Sequence, residues 1–223
     1  MKHIEAVFNR EELSLVRAMI ARNRLEDGAA SALGMARAVK ANRQFALADA
    51  DARALTQLTF AALKRNSVFR RFALPSDVSV PMVNHYGEGM HYGPHYDSSL
   101  MTSPEGNDIR TDFSATVFVS GPDEYEGGHL SFDFNGVRQR FKYAAGDMLL
   151  YPAGLLHEVE PVTRGVRHAV VFWVQSKIAQ DDCRSLLFRM DEAIGSLAQQ
   201  HPRAPEVLEL LGVFHSLSRM WMR

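Results

Sequence analysis

His95, Asp97 and His157 are the residues of this chain whose types and spacing can do chemistry. His95-Tyr96-Asp97 places an imidazole and a carboxylate two residues apart. In an extended strand, residues i and i+2 point to the same face, so the two groups converge on one point. His157 follows Asp97 by 60 residues, just after the apolar run Met148 to Tyr151. Two imidazoles and one carboxylate on one face suit Fe(II) and leave three coordination positions open. The bare tripeptide also arises on any surface strand with two polar residues, so the weight falls on what accompanies it.

Arg167 accompanies it, ten residues after His157 and at the head of the apolar run His168 to Gln175. A guanidinium turned into a core is costly alone and implies an anionic partner, and its planar fork matches a carboxylate. Fe(II), Asp97 and Arg167 together carry two positive charges. A dicarboxylate such as 2-oxoglutarate brings them to zero, which is a physical reason for an arginine beside such a triad.

The elements that must position these residues divide by hydrophobic period. From about residue 10 to 73 the pattern is helical, with Leu13, Val16, Met19 and Ile20 on one face and Leu55, Leu58, Ala62 and Leu63 on another. Ala29 to Phe45, between these helices, reads as irregular. From 78 to 177 the runs are short and β-rich: Val78 to Tyr86, Phe113 to Ser120, His129 to Phe134, Val137 to Phe141, Asp147 to Tyr151 and His168 to Gln175. Turn residues separate them, and Phe134-Asn135-Gly136-Val137 is a two-residue hairpin signal. Many short strands argue for a β-sandwich or barrel. The last stretch returns to helix, with a second tail helix beginning near Pro205. The expected organisation is therefore a helical support over 1–77, a β core over 78–177 and a helical extension over 178–223.

Composition limits the partners. The 223 residues are 46% hydrophobic and 23% charged, and 25 basic residues nearly cancel 26 acidic ones for a net charge of −1. Nucleic acid is not expected as a partner, since a phosphate binder carries a basic excess. No apolar run approaches a membrane span. Acidic residues among the first twelve argue against a leader, which makes the cytoplasm the expected location. The lone Cys183 excludes an internal disulfide framework.

These motifs resemble a known family. His95-x-Asp97, His157 and Arg167, with Glu126-Gly127-Gly128-His129-Leu130 and Ala145-Gly146-Asp147-Met148-Leu149-Leu150-Tyr151-Pro152, look like the prolyl-4-hydroxylase-like Fe(II)/2-oxoglutarate dioxygenases. Arg110-Thr111-Asp112-Phe113-Ser114-Ala115-Thr116, Pro161 to Arg167, Trp173-Val174-Gln175-Ser176 and the tail through Leu187-Phe188 are similar to the bacterial PKHD-type hydroxylases. The resemblance implies an α+β fold built on a double-stranded β-helix (jelly roll), with N-terminal supporting helices and a C-terminal helical extension. It implies His95, Asp97 and His157 as iron ligands and Arg167 as the partner of the distal carboxylate of 2-oxoglutarate. Hydroxylation of a C–H bond by O2, with release of succinate and CO2, follows from it, with ascorbate (vitamin C) as the reductant. The substrate class stays open between a small molecule and a peptidyl group, and family members are linked with iron acquisition. In related enzymes a tyrosine just before the first ligand reaches the co-substrate, a role open to Tyr92 and Tyr86 as well as the bland one of a half-buried strand aromatic.

Other candidates read more simply. His85 and His91 fit loop or wall residues, and His129 and His168 fit structural histidines, although His129 departs from the family pattern. Arg110 and Asp112 fit either a cavity mouth or a surface ion pair. Gly87 and Gly89 suggest a flexible lid, and Ser98-Ser99 lacks the context of a hydrolytic nucleophile. A non-catalytic module sensing iron or 2-oxoglutarate would use the same pocket, and a cupin-type metalloenzyme would leave Arg167 without an anion. The C-terminal helices are too small to bury both faces alone, so they should pack on the barrel or on a second copy of the chain.

Overall fold

Residues buried without interruption are the local mark of a strand covered on both faces. Phe113–Phe118 is buried at all six positions, and Met148–Tyr151 at four in a row. In the computed structural model, which describes residues 1–32 and 34–222, both runs lie inside an eight-stranded antiparallel sheet. Its order is Lys2–Ile4, Met148–Pro152, Phe113–Phe118, Arg167–Ser176, Met82–Tyr86, Arg43–Ala46 and Arg24–Asp27, with Pro75–Val78 also pairing Arg167–Ser176. A five-stranded sheet covers one face, in the order Val137–Phe141, Leu130–Phe134, His157–Val159, His91–His95 and Lys40–Ala41. The result is the expected jelly roll.

Helices cover the other face of the large sheet: α1 (Arg10–Arg22), α3 (Asp49–Arg65) and α4 (Ser67–Ala73), while the short α2 (Gly34–Ala38) lies near the His91–His95 strand. An Asn9–Glu12 capping box opens α1. The core sorts into two layers accordingly. Val16, Met19, Leu55 and Phe69 of the helices meet Val117, Met148, Leu150 and Phe172. Phe118, Leu149 and Tyr151 instead meet Leu130, Phe132 and Val159 between the sheets. Neighbouring residues thus serve opposite cores.

The same alternation divides the polar residues. Tyr86 and Arg167 are cross-strand partners, as are His85 and His168 one residue away. The first pair belongs to the space between the sheets, while the histidines lie against Phe45 on the helical side. There one imidazole donates to the other across 2.9 Å.

The hairpin forms as its sequence signals, Asn135 (φ 54°) and Gly136 (φ 86°) both taking left-handed backbone between paired strands. The tail forms α5 (Asp181–Gln200) and α6 (Pro205–Trp221), with Pro205 in the first turn. Buried Arg184 of α5 donates to Ile178 O and Ala179 O in the preceding connection and lies 4.5 Å from the Phe113 ring of the barrel. The outer surface of α6 keeps Leu208, Val213 and Met220 exposed. No helix among the described residues is long and apolar enough to cross a membrane.

The lead differs from the helical reading. Arg24–Asp27, Lys40–Ala41 and Arg43–Ala46 form strands that join the two sheets, where an irregular stretch was expected over 29–45. The sequence there alternates poorly because these short strands pair through backbone at the sheet margins and bury little. Gly87–Met90, expected to be a lid, is a tight turn, fixed by Met90 N–H donating to Gly87 O and Gly89 N–H to Val162 O.

Leu150→Ala should cost about 2–5 kcal/mol in urea unfolding with an unchanged denaturant slope, because its side chain is fully enclosed. Burial, with the His85 imidazole beside it, pushes His168 down to about 4 from its ordinary 6.5. Between those values the unfolded chain binds a proton that the folded one refuses, so stability falls as pH drops from about 6.5 to about 4. Urea midpoints measured across that range should show the slope, and His168→Gln should reduce it, the remainder coming from the similarly lowered His95.

Candidate active site

Register brings the two candidate histidines together. His157 is paired directly with His95 on the neighbouring strand, and Phe132 is paired with His157 on its other side. The imidazoles therefore project from one row of the small sheet into the cavity, their ring centroids 4.3 Å apart. Asp97 lies two residues past the end of the His91–His95 strand. The alternation persists beyond the strand: Tyr96 is 61% exposed while the Asp97 carboxylate turns inward. Asp97 stands 3.9 Å from His95 Nε2 and 3.7 Å from His157 Nε2, and one donor atom from each residue lies within 4.8 Å of the others.

Hydrogen bonds set which nitrogen faces that point. His95 Nδ1–H donates to Gly93 O (2.8 Å) and His157 Nδ1–H to Leu155 O (2.9 Å). Both Nε2 atoms therefore face the centre as acceptors, the arrangement a metal-binding imidazole needs. Burial and the neighbouring His157 push His95 down to about 4, so it is neutral at physiological pH. Ser114 Oγ donates to Asp97 Oδ2 at 2.5 Å and orients the carboxylate. The Tyr151 hydroxyl donates to His157 Nε2 (3.3 Å). Spacing alone did not single out Ser114 or Tyr151. Their signal was inward alternation on strands adjacent to the site.

Arg167 begins the longest strand, and its side chain is among the most deeply buried in the molecule at 1% exposed. It lies 5.1 Å from the Tyr86 ring and 5.6 Å from the Phe118 ring, and its Nε has no hydrogen-bond partner. No carboxylate among the described residues forms an ion pair with it. Burial pushes the Tyr86 hydroxyl up to about 12 and raises Tyr151 and Tyr92 as well, so all three are neutral. Tyr92 lies flat on the His95 ring, centroids 3.5 Å apart.

These residues line one cavity of about 330 Å³, with Lys40, Gln44, Tyr96, Leu100, Met101 and Trp173 forming further wall. Lys40 comes from the short edge strand beside Tyr92. Burial draws its amine down to about 8, against the pull of Asp97 and Asp27.

Other candidates fall elsewhere. Arg110 and Asp112 are not mouth residues. They pair with each other at 2.8 Å, and Asp112 accepts from Ser176 N–H at the end of the long strand. His129 is not part of the cavity wall but sits 3.5 Å from Glu160. His85 and His168 lie behind the sheet, and His91 Nδ1 faces Gly89 O in the turn.

Comparison with known proteins bears on this geometry. Residues 81–175 match the 2OG-Fe(II) oxygenase superfamily, and residues 181–222 match the PKHD-type hydroxylase C-terminal domain. A PKHD-type hydroxylase of Hyphomonas neptunium is 44% identical, over 98% of this chain and 97% of its own length. One from Burkholderia ambifaria is also 44% identical, over the same shares. Among solved structures, the viral collagen prolyl hydroxylase of Paramecium Bursaria Chlorella virus-1, in its 2OG complex, has a TM-score of 0.52. It is 16% identical, covering 78% of this chain and 95% of that one. HygX from Streptomyces hygroscopicus, with nickel, 2-oxoglutarate and hygromycin B bound, has a TM-score of 0.53 at 14% identity, covering 78% of this chain and 82% of that one. At such identities the structures share the fold, while the full-length relatives establish kinship. The chain is a 2-oxoglutarate- and Fe(II)-dependent hydroxylase and belongs to the PKHD-type hydroxylase family.

Proposed function

We propose that His95, Asp97 and His157 hold the Fe(II), that Arg167 takes the distal carboxylate of 2-oxoglutarate, and that the enzyme hydroxylates a C–H bond of an organic substrate entering past Tyr96 and Leu100. Arg167 is the observation that carries this reading: a fully enclosed guanidinium, unpaired with any described carboxylate and with an idle Nε. Leaving such a cation without an anion would cost several kcal/mol. A dicarboxylate reaching from the metal to Arg167 meets that demand and leaves the pocket neutral with Fe(II) and Asp97.

The donor set fits the metal. Two imidazoles and one carboxylate converge; His95 Nε2 faces the centre, and His157 Nε2 accepts from the Tyr151 hydroxyl with the lone pair that a metal would take. When bound there, Fe(II) supplies the redox chemistry that couples O2 to oxidative decarboxylation of 2-oxoglutarate and oxidation of the substrate. One oxygen atom of O2 enters succinate and the other the new alcohol, with CO2 released.

The remaining work belongs to the chain. Ser114 holds Asp97 in one orientation by its hydrogen bond. Tyr86, neutral and buried beside Arg167, would donate a hydrogen bond to the distal carboxylate of 2-oxoglutarate. Tyr92 braces the His95 ring by stacking on it. Phe118, Leu130 and Phe132 exclude water around the charges, which strengthens each interaction. In this reading ascorbate arrives from solvent as the reductant, and the cytoplasm is the working compartment. The substrate is an organic molecule or peptidyl group small enough to present a C–H bond inside the cavity.

Asp97→Ala should abolish Fe(II)-dependent succinate formation and weaken Mn(II) binding, followed by electron paramagnetic resonance, more than about a hundredfold. Ser114→Ala, which only frees the carboxylate, should cost about tenfold on the same measurement. Arg167→Ala should raise the calorimetric Kd for 2-oxoglutarate roughly a hundredfold, the equivalent of about 3 kcal/mol. Unaltered 2-oxoglutarate binding in Arg167→Ala would sink the assignment.

A further inference from the structure

Fe(II), Asp97, Arg167 and 2-oxoglutarate together are electrically neutral, so Lys40 is a surplus cation in the cavity wall. It is half-buried, and its Nζ is held by the Ser31 hydroxyl at 2.7 Å and lies 5.0 Å from the centre of the Tyr92 ring. No carboxylate among the described residues forms an ion pair with it. An ammonium partly withdrawn from water, in direct contact with a hydroxyl and a ring face and drawn only at longer range by Asp97 and Asp27, leaves donor capacity unused.

Its position is built. Lys40–Ala41 adds an edge strand to the small sheet beside Tyr92 and His91. Gly93 N–H donates to Val39 O at 2.8 Å, and a Cβ on Gly93 would stand 3.0 Å from that of Val39. The missing side chain at residue 93 is what lets the strand lie against the ligand-bearing one. The same cavity has apolar and aromatic wall in Trp173, Met101 and the half-exposed Leu100. Arg167 sits at the enclosed end, whereas Lys40 neighbours residues that reach solvent.

We propose that Lys40 binds a negative group, a carboxylate in the simplest case, on the primary substrate, whose apolar body lies against Trp173, Met101 and Leu100. The enzyme would then select amphipathic monoanions over neutral molecules of the same shape. This rests on the assignment of Arg167 to 2-oxoglutarate, because an Arg167 left free would compete for the same group.

Matched acid and amide probes test it. Full-length protein is loaded with Zn(II) and saturating 2-oxoglutarate. Binding of hexanoate against hexanamide, and of phenylacetate against phenylacetamide, is followed by saturation-transfer NMR and calorimetry. The acid should bind about tenfold more tightly than its amide, an advantage typical of a charge-assisted hydrogen bond. Lys40→Met should remove the advantage and Lys40→Arg should restore it. Equal binding of acid and amide, or a preference that survives in Lys40→Met, overturns the proposal. So does a tenfold loss of 2-oxoglutarate affinity in Lys40→Met, which would assign Lys40 to the co-substrate. Should Lys40→Met fail to fold, the ionic-strength dependence of the wild type decides: the acid's advantage shrinks with salt if an ion pair makes it, and constancy overturns the proposal. Failure of the loaded wild type to bind 2-oxoglutarate, or binding indifferent to Arg167→Ala, would instead overturn the reading beneath it.

Discussion

Everything in this molecule hangs on side-chain alternation in a sheet that is covered on both faces. Along Arg167–Ser176, one parity looks into the cavity and the other into the helices, and both are enclosed. Arg167 and His168 are neighbours in sequence, yet one meets Tyr86 between the sheets and the other His85 behind them. A slip of one residue would bring a guanidinium among Val16, Leu55 and Phe69 and turn Phe172 toward the cavity. The polar site is therefore fixed by the same apolar sorting that makes the core, and register is as much a catalytic requirement as a structural one.

Electrostatics follow from that enclosure. Burial keeps the tyrosines of the cavity protonated and His95 unprotonated. The interior is thus furnished with neutral tyrosine donors and a neutral His95, beside the charged side chains of Asp97, Arg167 and Lys40. Backbone carbonyls of Gly93 and Leu155 settle the tautomers, so the geometry of the imidazoles depends on main chain rather than on side chains that mutation can remove.

Much of this was legible in the sequence, for particular reasons. His95, Asp97, His157 and Arg167 stand at spacings that strand periodicity turns into a cluster, and the Asn135-Gly136 hairpin and Pro205 carry local signals that need no tertiary help. Residues 24–46 were opaque because their strands are short, mixed in polarity and paired with distant edges, so no local period announces them. Lys40 was hidden for the same reason. His129, which reads as a structural histidine, lies before the Leu130–Phe134 strand and outside the cavity, where Glu160 pairs with it.

The segment between residues 24 and 46 deserves a view as a detachable part. It joins the Met82–Tyr86 strand of one sheet and the His91–His95 strand of the other, bridging the sandwich at its open rim. It contributes wall to the cavity but none of the proposed metal ligands, and its connections are contiguous in sequence. Lys40, the charged part of the proposed substrate contact, is thereby carried on a stretch of chain separate from the proposed metal ligands. Drift or grafting within this one stretch can retune what is admitted while the oxidising centre is inherited intact, which gives a lineage a route to new substrates without reinventing the reaction.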